Sequence, residues 1–271
     1  MKAATSGGVP LKVLHVAQTA QGGVGSYLEE IAPLQIERYG RGSVRAVLPL
    51  EHAQAFPALS PEWLETFATG TGGRLMTSCR MAWLALRVMR EWRPDIVHLH
   101  STFAGLILRP VIRFLPHRPR VVYCPHGWAF DRQARKAAVI AMQGLEWLLA
   151  HACDAIVCVS VNDCARARRV GIAAHRLRVV LNGIADLQRP ASGLQEAPWP
   201  ERALRILFVG RLDVQKGVDV LFAAMRKLGD SAFAVVVGSS VVGDGALVGP
   251  PPANVRIAGW LSRERIAELY A

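Results

Sequence analysis

A strand that ends in glycine, with an arginine directly after it and a Lys-Gly pair opening the next helix, is the pattern read in Phe208-Val209-Gly210-Arg211-Leu212-Asp213-Val214-Gln215-Lys216-Gly217. In an open α/β sheet, ligands sit beyond the carboxyl ends of the strands, and Arg211 and Lys216 would project there. A guanidinium and an ammonium at such a place suit a diphosphate, each charge-assisted bond contributing roughly 1.5–3 kcal/mol. Without a ligand they read as a solvated arginine and a helix-start lysine. A lysine at that end opposes the helix dipole, so the phosphate reading is the stronger.

Four more segments place polar or glycine residues at strand ends. Gln21-Gly22-Gly23-Val24-Gly25-Ser26 joins a strand to a helix, and its amides could cradle an anion. It is equally well a tight strand-to-helix turn. It is not a dinucleotide fingerprint, because Leu28 stands where the last glycine of G-x-G-x-x-G belongs. Tyr123-Cys124-Pro125-His126-Gly127-Trp128 ends a strand at a histidine, and Gly127 allows close backbone approach. Leu99-His100-Ser101-Thr102-Phe103 offers the small donors Ser101 and Thr102. Val180-Leu181-Asn182-Gly183-Ile184 precedes a change in composition.

The elements that would hold these residues alternate. Apolar runs at 11–17, 44–50, 95–100, 121–124, 155–160 and 178–181 read as strands. Helical spacing follows at about 22–39, 78–92, 103–115 (interrupted at Pro110), 132–151 and 162–170. Met81, Leu84, Ala85, Val88 and Trp92 share one helix face, with Arg80, Arg87 and Arg90 away from it. Residues 52–75 give no clear pattern. Nearly continuous apolar strands between amphipathic helices predict a parallel sheet covered on both faces. Residues 187–203, rich in Pro, read as a linker. The alternation then restarts with strands at 205–209, 233–237 and 255–259, a helix at 218–228 and a last one capped by Ser262. The expected organisation is a domain over 1–186, a linker over 187–203, and a partial second domain over 204–271.

Half of the 271 residues are apolar (51%) and 20% are charged, a globular composition. No run is long and apolar enough to span a membrane, and no secretory signal opens the chain; a cytoplasmic address is expected. The five cysteines lack zinc-knuckle spacing and read as buried thiols. A net charge of +11 could attract nucleic acid, anionic lipid or a phosphorylated substrate. No nucleic-acid-binding signature is present, so nucleic acid is not an expected partner. A membrane surface carrying a lipid-linked acceptor is preferred. The arginines of residues 78–92 could contact it peripherally, at the inner face of the membrane, although a core-packed helix with a solvated basic side is the favoured reading.

Taken in order, the five segments resemble retaining glycosyltransferases of family 4, over about residues 11–271. The most specific are His126-Gly127, Asn182-Gly183-Ile184 and Gly210-Arg211 to Lys216-Gly217. The pairing of His100-Ser101-Thr102 with Pro125-His126-Gly127-Trp128 is similar to a polysaccharide-assembly subset. The resemblance implies a GT-B fold: two Rossmann-like α/β domains facing a cleft, the first for the acceptor and the second for the nucleotide sugar. It implies transfer of a sugar from a UDP- or GDP-linked donor to a glycan or lipid-linked acceptor with retention, in cell-surface polysaccharide or lipopolysaccharide synthesis. Arg211 and Lys216 would hold the diphosphate as it leaves, and His126 would touch the sugar. Gly22, Gly23, Ser101, Thr102, Gly127, Asn182 and Gly210 would line the donor and acceptor sites. No Asp-x-Asp occurs, which matches a metal-independent transferase; no cofactor is expected, the nucleotide sugar being a substrate.

Two departures stand out. The family carries a pair of glutamates after the strand that would follow Tyr270. Glu29 and Glu37 share that spacing but fall on the first helix. The second domain is therefore expected to be incomplete through C-terminal truncation, and these residues alone to turn over poorly or not at all. Ala185 precedes Asp186 where the family often has the acid at once, which bears on the hinge. The competing readings are a non-catalytic nucleotide-sugar-binding remnant and a GT-B epimerase acting on a UDP-sugar.

Overall fold

The computed structural model describes residues 11–20, 22–53, 63–70, 72–131, 135–183, 199–200, 203–212, 216–239 and 249–270, the side chains of 263 and 264 excepted. The linker expectation over 187–203 falls almost wholly outside them, as do Gln21, Asp213, Val214, Gln215, Ile184, Ala185 and Asp186. The chain divides into two compact units, Met1–Ile184 and Ala185–Ala271.

The first unit is built on a seven-stranded sheet in the order β3-β2-β1-β4-β5-β6-β7, with every pairing parallel. Its strands are β1 (Val13–Ala17), β2 (Val44–Pro49), β3 (Leu64–Phe67), β4 (Ile96–His100), β5 (Arg120–Cys124), β6 (Ala155–Cys158) and β7 (Leu177–Val179). The helices are α1 (Gly23–Tyr39), α2 (Leu50–Ala53), α3 (Gly73–Trp92), α4 (Ser101–Ile112), α5 (Lys136–Ala150) and α6 (Val161–Arg169). Both sheet faces are covered, so the central strands are buried throughout, as in Val13–Ala17. Leu14, Val16, Val97 and Leu99 pack with Met81, Leu84, Ala85 and Val88 of α3 and with Leu108 of α4 on one face. Val24, Leu28 and Ala32 of α1 pack with Val44, Ala46 and Leu48 on the other. The apolar stripe of α3 thus faces the core, leaving Arg80, Arg87 and Arg90 exposed. No helix among the described residues is long and apolar enough to cross a membrane.

Three expectations change. Helix α4 runs through Pro110 to Ile112 without interruption, just as α1 runs through Pro33 to Tyr39 as expected. Proline removes one backbone bond to the preceding turn, but Leu108 and Ile112, buried in the core on either side of Pro110, hold α4 in place. Leu28 and Ala32 hold α1 against the sheet around Pro33. The unpatterned stretch 52–75 contains β3, an edge strand paired with β2. Four cysteines are buried as expected, but Cys79 is exposed.

The second unit carries a three-stranded parallel sheet, β10-β9-β8, of β8 (Leu204–Val209), β9 (Ala232–Val237) and β10 (Val255–Gly259), with α7 (Val218–Leu228) and α8 (Arg263–Leu269). Val218, Phe222 and Met225 of α7 pack on Ala232, Ala234 and Val236. Ser262 caps α8, its side chain accepting from the Arg265 backbone N–H.

One charged pair lies deep in the first unit. Arg109 of α4 is fully buried and bridges Glu146 of α5 at 2.8 Å. Its Nε–H donates to the Gly105 carbonyl at 2.8 Å, and its guanidinium lies 4.0 Å from the centre of the Tyr123 ring. The Tyr123 hydroxyl donates to Glu146 Oε1 at 3.2 Å. The pair ties α4, β5 and α5 together beneath the strand end that carries His126.

Candidate active site

Strand order reverses between β1 and β4: β2 and β3 lie to one side, β5 to β7 to the other. Such a switch point opens a crevice beyond the carboxyl ends of the two strands. Register brings three strand ends level, since Ala17 pairs with His100 and His100 with Cys124. Gly22 and Gly23 follow β1, Ser101 and Thr102 follow β4, and His126 and Gly127 follow β5. Six of the residues singled out in the sequence therefore belong to one rim of the first unit. Asn182 does not join them. It is exposed beyond β7, the edge strand, with β6 between β7 and β5.

The rim is strained. Among the described residues, non-glycine positive φ occurs at Arg93, Ser101 (71°) and His126 (52°). Two of the three thus stand at adjacent strand ends. Gly22 (66°) and Gly127 (110°) share that region without a Cβ penalty. Non-glycine residues there cost of order 1–3 kcal/mol each and persist where the surroundings impose them. Beside His126 the surroundings are Trp128, buried, stacked on Phe130 with ring centres 5.2 Å apart, and donating from Nε1 to the Asp163 carbonyl at 3.0 Å. The Ser101 hydroxyl oxygen is buried and without a hydrogen-bond partner among the described residues. Gly22 caps α1 with no side-chain hydrogen bond, which leaves first-turn amides of α1 without a side-chain acceptor at its cap.

Behind the rim lies a histidine network that motif reading alone did not assemble. His15 of β1 and His98 and His100 of β4 share the sheet face covered by α1, and all three are buried. Gln35 Oε1 lies 2.7 Å from His15 Nε2. His15 Nδ1 lies 3.0 Å from His100 Nε2, and His100 Nδ1 lies 3.0 Å from His126 Nε2. Tyr27 of α1 stands edge-on to His126, with ring centres 5.0 Å apart. Burial pushes His15 and His126 down to about 4. It holds His98 and His100 well below the ordinary range, with the neighbouring histidines adding to the effect. At neutral pH the rings are therefore uncharged. Each has one donor and one acceptor nitrogen. His98 Nε2 is buried without a hydrogen-bond partner. One ring nitrogen each of His15, His98 and His100 lies within 4.8 Å of the others, the one grouping of metal-ligating types among the described residues. No carboxylate belongs to it, and His15 and His100 already share a hydrogen bond, so the geometry is that of a hydrogen-bonded network. Its sequence signal was the two-residue spacing of His98 and His100, which puts both on one face of a strand.

In the second unit, Gly210, Arg211 and Lys216 come together. Gly210 closes β8, its N–H donating to the Val237 carbonyl at 2.9 Å. Arg211 follows it, and both cations are exposed. Lys216 lies over Gly210, its Cγ 3.9 Å from where a Cβ on Gly210 would stand. Gly238, unnoticed in the sequence, is what allows the turn. Its φ is 140°, and a Cβ on it would fall 1.9 Å from the Gly210 carbonyl oxygen. A Val-rich strand ending in glycine was the available signal.

Known proteins share this architecture. Sucrose-phosphate synthase from Thermosynechococcus elongatus superposes with a TM-score of 0.74 at 16% identity, over 96% of this chain and 73% of that one. Anabaena HepE, crystallised with UDP and glucose, superposes with a TM-score of 0.70 at 17% identity, over 96% and 71%. Both likenesses concern the fold, and two parallel-sheet α/β units of this kind are those of the GT-B type. A protein of the cps region of Klebsiella pneumoniae, itself uncharacterised, is 25% identical over 268 residues, 96% of this chain and 72% of that one. Residues 22–187 match the profile of glycosyltransferase family 4. That stretch carries the switch-point rim with Gly22, Ser101 and His126, and the chain is a member of glycosyltransferase family 4.

Proposed function

We propose that this glycosyltransferase moves a sugar from a UDP- or GDP-linked donor to a glycan or lipid-linked acceptor, with retention, in the assembly of a cell-surface polysaccharide. The observation that carries the proposal is the strained rim at the β1/β4 switch point, where a neutral histidine stands beside glycine amides and an unpaired serine hydroxyl. HepE, of the same fold, holds UDP and glucose, and a relative is encoded in a cps region.

In this reading the diphosphate meets Arg211 and Lys216, whose fixed charges stabilise it as it departs. Such preorganised charge is the largest contributor in many transfers of this kind. His126, being neutral, adds no competing positive charge beside a sugar that becomes cationic as the bond to the diphosphate breaks. Ser101 and Thr102 offer hydroxyls, and Gly22 and Gly23 offer backbone amides close to the reacting groups. No metal or cofactor is invoked, and contact with the inner membrane face serves only to meet a lipid-linked acceptor.

The test is a panel of UDP- and GDP-sugars with EDTA present, read first by thermal shift and then by NMR of the product. A matching donor should raise the melting temperature by a few degrees, and the product should keep the donor's anomeric configuration. No shift with any nucleotide sugar would overturn the proposal. An inverted product would remove retention. Epimerised nucleotide sugar without transfer would make the chain an epimerase, and binding without transfer to any acceptor would favour a non-catalytic role.

A further inference from the structure

The contacts Gln35–His15–His100–His126 form one unbranched chain of hydrogen bonds, at 2.7, 3.0 and 3.0 Å. It begins on α1, passes through two buried rings and ends at the half-buried ring on the rim. A neutral imidazole has one N–H and one lone pair, so fixing one ring fixes the next.

Gln35 Oε1 can only accept. His15 therefore carries its proton on Nε2 and offers the lone pair of Nδ1. His100 must then donate from Nε2, and its Nδ1 becomes an acceptor. His126 must in turn donate from Nε2. The last free position in the chain is the lone pair of His126 Nδ1. Tyr27, edge-on to His126 and tilted against His100 at 5.6 Å, keeps the rings from turning over. We propose that Gln35, His15 and His100 are positioning residues that hold His126 as the Nε2–H tautomer, so that Nδ1 accepts a hydrogen bond from a hydroxyl of the donor sugar.

The inference rests on the reading above that His126 touches the sugar. It adds the polarity of that contact: a sugar hydroxyl is recognised as a donor, and a deoxy or fluoro sugar at that position would lose the bond. It also links a glutamine in the C-terminal half of α1 to the rim.

Two readouts separate the two claims. The first is the ring ¹⁵N spectrum of histidine-labelled protein without ligand, with His126 assigned through His126→Gln. The expected result is Nε2–H at His126 in the wild type and in Gln35→Glu, which keeps an acceptor oxygen, and mixed tautomers in Gln35→Leu. The second is the ratio of the Kd for the bare nucleotide to the Kd for the nucleotide sugar selected by the panel. Gln35→Leu should lower this ratio roughly three- to tenfold, the worth of one neutral hydrogen bond, with nucleotide affinity unchanged and Gln35→Glu near wild type. Circular dichroism melts check that all variants fold. Nδ1–H at His126 in the wild type, or a His126 tautomer indifferent to Gln35→Leu, would overturn the proposal. If the tautomers behave as expected but His126→Ala leaves the ratio unchanged, the sugar contact itself is wrong, and the polarity assigned to it falls too.

Discussion

Acid should weaken the first unit well before its carboxylates are protonated. His15 and His126 are held neutral, with burial lowering them to about 4 from an ordinary value of 6.5. The unfolded chain binds a proton at each as the pH falls through 6.5, while the folded chain refuses it until about pH 4. The stability of the neutral buried rings is thus complete above pH 6.5 and is lost as the pH falls toward 4. At about 1.4 kcal/mol per pH unit, the fully buried His15 costs about 2 kcal/mol at pH 5, and the half-buried His126 somewhat less. His98 and His100 add in the same direction. Against a typical folding free energy of about 5–15 kcal/mol, the loss is large. Urea titrations at pH 7, 6 and 5, followed by far-UV circular dichroism, should show a midpoint that falls steadily. His98→Leu should be nearly neutral at pH 7, because His98 Nε2 makes no hydrogen bond, and should make the acid slope shallower. A midpoint constant between pH 7 and 5, or a slope indifferent to His98→Leu, would refute the assignment of four neutral histidines.

Glu146→Leu leaves the Arg109 guanidinium buried without its carboxylate and should cost about 3–5 kcal/mol in urea unfolding. Adding Arg109→Met should restore most of that. Gly238→Ala drives a methyl into the Gly210 carbonyl; overpacking of this kind costs typically about 1–3 kcal/mol. It should also displace the Gly210-Arg211 turn, so calorimetric titration with UDP should show at least about tenfold weaker binding, the worth of one lost charge-assisted bond.

Much of the fold was legible because its cause is local. Strands buried on both faces are nearly all apolar, and helices show one apolar stripe; both patterns survive in a single sequence. Elements β8, α7, β9 and β10 fell within a residue or so of expectation for that reason. Strand β3 was missed because Leu64-Glu65-Thr66-Phe67 is a short edge strand whose place depends on pairing with β2 rather than on a pattern of its own. The proline in α4 misled because tertiary packing overrode local propensity. Glycine and histidine at strand ends made Gly22, Ser101, His126 and their neighbours legible as candidates, and register brings them to one rim. Asn182 stands apart from them because strand order puts β7 at the sheet edge, and order cannot be read from spacing. The histidine chain depends on register between β1 and β4 and on which face α1 covers. His15 and Gln35 carried no motif of their own, and neither did the match of Gly238 to Gly210.

The most direct measurement is calorimetric titration of UDP and GDP into the wild type, Arg211→Ala, Lys216→Ala and His126→Ala. If the two cations hold the donor diphosphate, each of their removals should weaken nucleotide binding by roughly ten- to a hundredfold, while His126→Ala leaves it unchanged. Nucleotide affinities that do not respond to loss of either Arg211 or Lys216 would contradict the account.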